Sequence, residues 1–131
     1  MVTAKAKWDR ELRLEGEGGT AHMVMMDGDS KAANSPMELV LIALCGCTAV
    51  DVVNILQKKR EPFTTVEVSA EADKAPRSPR VYTEIKLRYR VGGKVSRKAV
   101  EDAVRLSEEK YCSVAAMLNK TAKISYEIYL D

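Results

Sequence analysis

Cysteine is scarce in this chain, histidine scarcer, and neither sign of charge prevails. The three cysteines, Cys45, Cys47 and Cys112, are odd in number and two are near neighbours, which excludes the paired framework of a small secreted domain. The single histidine, His22, falls in an alternating segment and reads as an ordinary strand residue. No Cys/His spacing suits zinc, and no Gly-rich loop joins a strand to a helix, so neither a metal nor a phosphate-bearing cofactor is expected. Twenty-one basic residues against nineteen acidic ones leave a formal net charge of +2 and no basic stripe. That argues against a nucleic-acid partner or a membrane surface. The densest basic run, Lys58-Lys59-Arg60, follows an apolar helical stretch, where cations complement the helix dipole. Met1 to Leu14 lacks the apolar core of a secretory signal. The most apolar run, Leu39 to Val50, is too short to span a bilayer. The expected compartment is the reducing cytoplasm.

Aromatic residues make up only 5% of the chain while apolar residues reach 46%, so aliphatic side chains and methionines must fill the core. At 131 residues the chain fits one domain, residues 1–131. Val2, Ala4, Ala6 and Trp8 alternate with polar residues, and Leu12 and Leu14 continue the pattern, which predicts one strand. Gly16-Glu17-Gly18-Gly19 reads as a turn, with Thr20 to Met26 returning as a second strand. Asn34-Ser35-Pro36 starts a helix: Asn34 or Ser35 can cap it, and Pro36 suits its first position. The helix is expected from Pro36 to about Lys59. Its middle, Leu39 to Cys47, is apolar on every side, which marks a buried helix. One sheet covers one side, so a second subunit is expected over the other.

Val66, Val68 and Ala70 alternate with polar residues, and a polar turn runs from Asp73 to Pro79. In the next strand Val81, Thr83, Ile85, Leu87, Tyr89 and Val91 face one way, and the opposite face is charged. Ser96 can cap a second helix whose stripe Ala99, Val100, Ala103, Val104 and Ser107 leads to Tyr111 and Cys112. Ser113 to Leu118 suits a further helical turn, and Ala122 to Leu130 alternates as a last strand. The order β-β-α-β-β-α-β gives an α+β class with mainly antiparallel strands around a long central helix.

Cys45 and Cys47 lie two positions apart on the helix. At about 100° per residue they point to nearly opposite faces and make a poor disulfide pair. One is expected to pack and the other to line a site. Cys112 reaches either of them only through the fold. A thiol pair has a specific chemistry. A thiolate attacks the O–O bond of a peroxide and becomes a sulfenic acid, and a second thiol condenses with it to a disulfide. The first step needs the thiolate, so a cation must favour it, and arginine serves best. Asp51, one turn beyond Cys47, opposes that charge. The residues alone leave a second reading open, in which all three cysteines are small core residues.

Ser35-Pro36-Met37-Glu38-Leu39 with Ala43-Leu44-Cys45-Gly46-Cys47-Thr48-Ala49 resembles the first cysteine motif of the OsmC/Ohr family, and Tyr111-Cys112-Ser113-Val114 resembles its second. The resemblance extends along the whole chain. It implies an intertwined homodimer with two interfacial sites, each holding a cysteine pair that reduces organic hydroperoxides, or hydrogen peroxide, at the expense of a dithiol reductant. It implies that Cys47 is the peroxidatic cysteine, Cys112 the resolving one and Cys45 a packing residue. The resemblance also implies an arginine over the thiolate, drawn from the N-terminal strands. Arg10 matches by spacing and Arg13 is next. Two positions depart from the peroxidatic pattern. Met37 stands where those members carry the glutamate that holds the arginine, with Glu38, the candidate carboxylate here, about 100° further around the helix. Ser113 stands where proline usually follows the cysteine. These departures support an alternative from a different class, a non-catalytic module that binds a small apolar or electrophilic ligand or senses oxidants.

Overall fold

Alternation alone does not tell where a strand turns back, and the N-terminal segment shows it. In the computed structural model, which describes residues 1–131, three strands form an antiparallel meander in the order β1-β2-β3: β1 (Ala4–Arg10), β2 (Arg13–Gly18) and β3 (Met23–Asp27). The single strand expected from Val2 to Leu14 is therefore two, joined at Glu11-Leu12 with a register shift between Trp8 and Arg10. Glu11 takes a φ of +52° without being glycine, so no turn residue announced the reversal. The indole Nε1 of Trp8 donates to the Glu11 carbonyl at 2.9 Å and helps close the turn. The turn expected at Gly16 is strand instead. A Cβ on Gly16 would lie 2.9 Å from Met26 Cε and 3.2 Å from Val24 Cγ1, so glycine here makes room for the neighbouring strand's side chains.

The chain forms two compact units, Met1–Ile42 and Ala43–Asp131, and the long helix α1 (Pro36–Lys58) runs through the boundary. Its start is a capping box. The Glu38 N–H donates to Ser35 Oγ at 3.1 Å, and the Ser35 N–H donates to Glu38 Oε1 at 2.9 Å. Its end is a left-handed cap at Arg60, φ +58°, where Glu61 N–H donates to the Leu56 carbonyl and Arg60 N–H to that of Gln57. That double closure satisfies the last carbonyls of the helix before Pro62. Leu44, Thr48, Val52 and Leu56, four residues apart, form its fully buried stripe. The other side of the helix, where a second subunit is expected, leaves Ile42 and Val50 exposed in this single chain. The apolar stretch is also longer than Leu39 to Val50. By length and composition α1 could cross a membrane, its most apolar window having a mean hydropathy of 2.3.

The second unit holds a sheet in the order β4-β5-β6, built from β4 (Phe63–Lys74), β5 (Tyr82–Gly93) and β6 (Lys123–Leu130). β4 and β5 pair antiparallel, while β5 and β6 pair parallel, so one of the two pairings in this sheet departs from the antiparallel pattern. A parallel neighbour needs a long crossover. Here it is α2 (Arg97–Leu106), a π-helical turn (Ser107–Tyr111) and α3 (Ser113–Leu118). Ile85, Leu87, Tyr89 and Val91 of β5 face the core as expected. At the start of the strand the alternation fails: Val81 is exposed and Tyr82 buried. The ladder shifts register between Asp73 and Lys74, which pairs Lys74 with Tyr82 and leaves Thr83 unpaired, and such a bulge reverses the facing of residues beyond it. Ser96 caps α2 by accepting from the Ala99 N–H at 3.2 Å. The stripe Ala99, Val100, Ala103 and Val104 is buried with Leu44, Val52 and Leu56 of α1 and the inner face of β5. Each large aliphatic side chain buried there contributes about 1.5–3 kcal/mol.

Candidate functional site

Cys47 lies in the middle of α1, half-buried, beside the fully buried Thr48. Cys112 lies at the other end of the α2 crossover, and the π-helical turn sets its direction. Its N–H donates to the Ser107 carbonyl at 2.8 Å, five residues back, which widens the last turn of the helix. Cys112 then leaves the helical region, with φ −74° and ψ 103°, and caps α3, its Sγ accepting from the Ala115 N–H at 3.3 Å. The two cysteine-bearing segments are drawn together: Thr48, next to Cys47, bonds Ser107 Oγ at 2.8 Å, and the Ser107 carbonyl accepts from the Cys112 N–H. Residues 65 positions apart in sequence are thus near enough for Cys47 to bear on the Cys112 thiol.

The two sulfurs differ in setting. Cys112 is 3% exposed. Burial, together with the nearness of Cys47 and the charge of Asp51, pushes its thiol up to about 12. At neutral pH the proton therefore stays on Cys112. Cys45 is half-buried, and burial raises its thiol too, which suits a packing cysteine. All three cysteines are free.

Beside the pair runs a row of polar side chains inside the core. Thr48 Oγ1 contacts Tyr89 OH at 2.5 Å and Ser107 Oγ at 2.8 Å. Ser107 Oγ donates to Asp51 Oδ2 at 2.9 Å, and Tyr89 OH donates to Glu108 Oε1 at 2.5 Å. Thr48, Ser107 and Tyr89 have no exposed surface. Tyr89 is held far above its ordinary value, first by burial and then by its bond to Glu108. Glu108 is raised chiefly by burial, with Asp51's charge adding to the shift. Sequence reasoning placed Tyr89 and Ser107 on inward faces but assigned them no role. It treated Asp51 only as an unfavourable charge, and it passed over Thr48 and Glu108. A usable signal was present: hydroxyl groups on the apolar faces of three separate elements need one another as partners.

The remaining candidates lie in the first unit. Arg10 is exposed, its Nε 4.0 Å from Asp9. Arg13 on β2 is half-buried, and its Nε is buried without a hydrogen-bond partner. Glu38 closes the capping box and also accepts from Ser30 Oγ at 2.6 Å. His22 pairs locally, with Nδ1 3.0 Å from Thr20 Oγ1. No group of three or more His, Cys, Asp or Glu side chains is arranged to hold a metal ion.

A family model described as OsmC-like protein matches residues 27–127. Protein YhfA of Escherichia coli strain K12 is 46% identical, the match covering 97% of this chain and 98% of that protein. Among solved structures, an OsmC-like protein from Mycoplasma pneumoniae superposes with a TM-score of 0.86 at 12% identity, over 99% of this chain and 96% of the other. A Legionella pneumophila structure described as an organic hydroperoxide resistance protein OsmC reaches a TM-score of 0.72 at 12% identity, over 98% and 96% of the two chains.

Proposed function

The chain belongs to the OsmC-like protein family, and on that premise we propose that it is a thiol-dependent peroxidase that reduces organic hydroperoxides through Cys47 and Cys112. The observation that carries the reading is that Ser107 bonds both Thr48, the neighbour of Cys47, and the Cys112 N–H, which draws the two cysteine-bearing segments together. A lone cysteine has no internal route back from its sulfenic acid, whereas one with a second thiol in reach has one. Cys47 attacks as thiolate, the O–O bond breaks, and the alcohol departs with a proton while Cys47 carries the hydroxyl as sulfenic acid. Cys112 then displaces that hydroxyl as water and forms the disulfide. A dithiol reductant restores both thiols. The reading also takes the chain to act as a homodimer in the reducing cytoplasm.

Two observations favour a second reading, a module that binds an electrophile or senses oxidants without turnover. Asp51 presents its charge toward Cys112. Within its own unit Arg10 is solvent-exposed and ion-paired only at 4.0 Å, with Asp9.

One equivalent of cumene hydroperoxide added to the reduced protein separates the two. Intact mass and peptide mapping are expected to show rapid loss of two thiols as a Cys47–Cys112 disulfide. Cys47→Ser is expected to abolish consumption, and Cys112→Ser to allow one oxidation that stops at sulfenic or sulfinic acid. Slow oxidation spread over all three cysteines, or equal consumption by Cys47→Ser, supports the sensing module and defeats the peroxidase.

A further inference from the structure

Cys112 is buried at a break between two helical segments, and its place is set through its neighbours. Forward, its carbonyl accepts from the Ala116 N–H at 3.0 Å and its Sγ from the Ala115 N–H at 3.3 Å, which ties it to α3. Backward, its N–H donates to the Ser107 carbonyl at 2.8 Å. Ser107 anchors that backward bond to the rest of the unit. Its own N–H donates to the Ala103 and Val104 carbonyls of α2. Its Oγ donates to Asp51 Oδ2 at 2.9 Å and contacts Thr48 Oγ1 at 2.8 Å, both on α1. Thr48 follows Cys47 directly, and Asp51 lies one helical turn beyond it. One serine thus joins the helix that carries Cys47 to the turn that leads into Cys112.

A second tie keeps the turn from pivoting on the first. Glu108, the next residue, accepts from Tyr89 OH at 2.5 Å, and Tyr89 OH in turn contacts Thr48 Oγ1 at 2.5 Å. Two consecutive residues of the π-helical turn are therefore fastened to α1 and β5 together. Tyr89 and Ser107 give their hydrogens outward, to Glu108 and Asp51, and Thr48 has one to share between them. Thr48, Ser107 and Tyr89 have no exposed surface, so water does not stand in for a bond that is lost. Apolar packing alone tolerates several arrangements of similar volume, whereas a buried hydroxyl network specifies one.

We propose that Ser107 is the positioning residue of the thiol pair: by bonding Thr48 and Asp51 through its hydroxyl and the Cys112 N–H through its carbonyl, it holds Cys112 within reach of Cys47 and sets how readily their disulfide closes. This rests on the reading of Cys47 and Cys112 as a working pair. Ser107 makes and breaks no bond in the reaction. A disulfide closes only when the two Cβ atoms come within about 3.5–4.5 Å of each other. A drift of about 1 Å in the turn is therefore enough to slow closure about a hundredfold.

The test needs no peroxide. It measures the effective concentration of one thiol toward the other, from the fraction of Cys47–Cys112 disulfide at equilibrium in mixtures of reduced and oxidised glutathione, with peptide mapping to identify the bond. In this exchange the Cys47 thiolate opens oxidised glutathione, one glutathione leaves, and Cys112 displaces the second, so that two protein thiols are oxidised as one glutathione disulfide is reduced. Ser107→Ala is expected to lower the effective concentration about tenfold to a hundredfold. A loss of stability alone leaves this quantity unchanged while urea unfolding shows the chain to be folded, so the measurement reports position. Thr48→Val keeps the shape of the side chain and leaves Tyr89 and Ser107 bonded to Glu108 and Asp51, so it serves where Ser107→Ala does not fold. It is expected to lower the value in the same direction, and Thr48→Ser, which keeps the hydroxyl, to restore it. A wild-type value in the folded Ser107→Ala chain, or equal losses in Thr48→Val and Thr48→Ser, overturns the positioning role and leaves the pair standing. A wild type that forms no Cys47–Cys112 disulfide at any glutathione ratio overturns the pair and the role of Ser107 with it. A chain in which Ser107→Ala lowers the value but which ignores hydroperoxide keeps the positioning role and loses the peroxidase reading alone.

Discussion

Cys112 shows how one residue's surroundings set the pH behaviour of the whole chain. Folding buries its thiol and pushes it up to about 12 from an ordinary value near 9.0. The folded chain therefore keeps a proton that the unfolded chain gives up. A group raised in this way stabilises the fold fully below about pH 9.0, and the contribution is lost as pH climbs toward 12. Tyr89, raised in the same direction, adds to the loss above pH 10.0. The slope is at most about 1.4 kcal/mol per pH unit for each proton retained. Urea unfolding of the reduced protein is expected to show a lower midpoint at pH 10 than at pH 7, and Cys112→Ala is expected to flatten that decline. An unchanged decline in the variant would mean that the buried thiol is not its source. The sequence already placed Cys47 and Cys112 as candidates through their motifs. What it lacked was the nearness of their segments, because Ser107, which bonds both Thr48 and the Cys112 N–H, opens a π-helical turn. That turn is closed by a widened hydrogen bond from the Cys112 N–H, and the segment Ser-Glu-Glu-Lys-Tyr carries no periodicity that announces it.

Among the elements, those with both a stripe and a cap were legible, and those defined by a turn without turn residues were not. Ser35-Pro36 and Ser96 marked two helix starts, and each cap is made as the residues suggest. The β1–β2 reversal at Glu11-Leu12 was missed because neither residue prefers a left-handed backbone, while the turn read at Gly16 to Gly19 lies slightly later, from Gly18 to Ala21, between β2 and β3. The start of α1 also bears on Glu38, since its carboxylate serves the helix end whether or not it serves chemistry. Glu38→Ala removes one arm of the capping box and is expected to cost about 0.3–1.5 kcal/mol, while Glu38→Gln keeps the arm and most of that stability. If the cap is the whole role of Glu38, the pH dependence of Cys47 alkylation is the same in both variants as in the wild type. A profile displaced in Glu38→Gln, with stability retained, would assign the carboxylate to the thiol site as the family resemblance implies.

At the scale of the whole molecule, each unit leaves apolar surface that its own fold does not cover. In the first, Met23, Val24 and Met25 of β3 are exposed in succession, and Trp8 of β1 is 66% exposed. In the second, Val50 is 67% exposed on α1, and Ala49, Val50, Val53 and Val66 line an open cavity of about 410 Å³. Single exposed apolar residues are ordinary, but contiguous ones on a soluble chain mark surfaces that bind. The partner expected from the sequence is a second copy of this chain. The all-apolar turn of α1 led to that expectation, and the exposed half of the same helix supports it. A symmetric pair would cover Val50 in both copies at once, so one substitution counts twice. The chain is therefore expected to sediment as a dimer at micromolar concentration, and Val50→Glu is expected to shift it toward monomer with secondary structure retained. If the wild type sediments as a monomer throughout that range, the apolar stripe needs another occupant. A helix of this hydropathy would then have to be tested against lipid vesicles, where flotation of the wild type and its loss in Val50→Glu would identify a membrane surface as the missing cover.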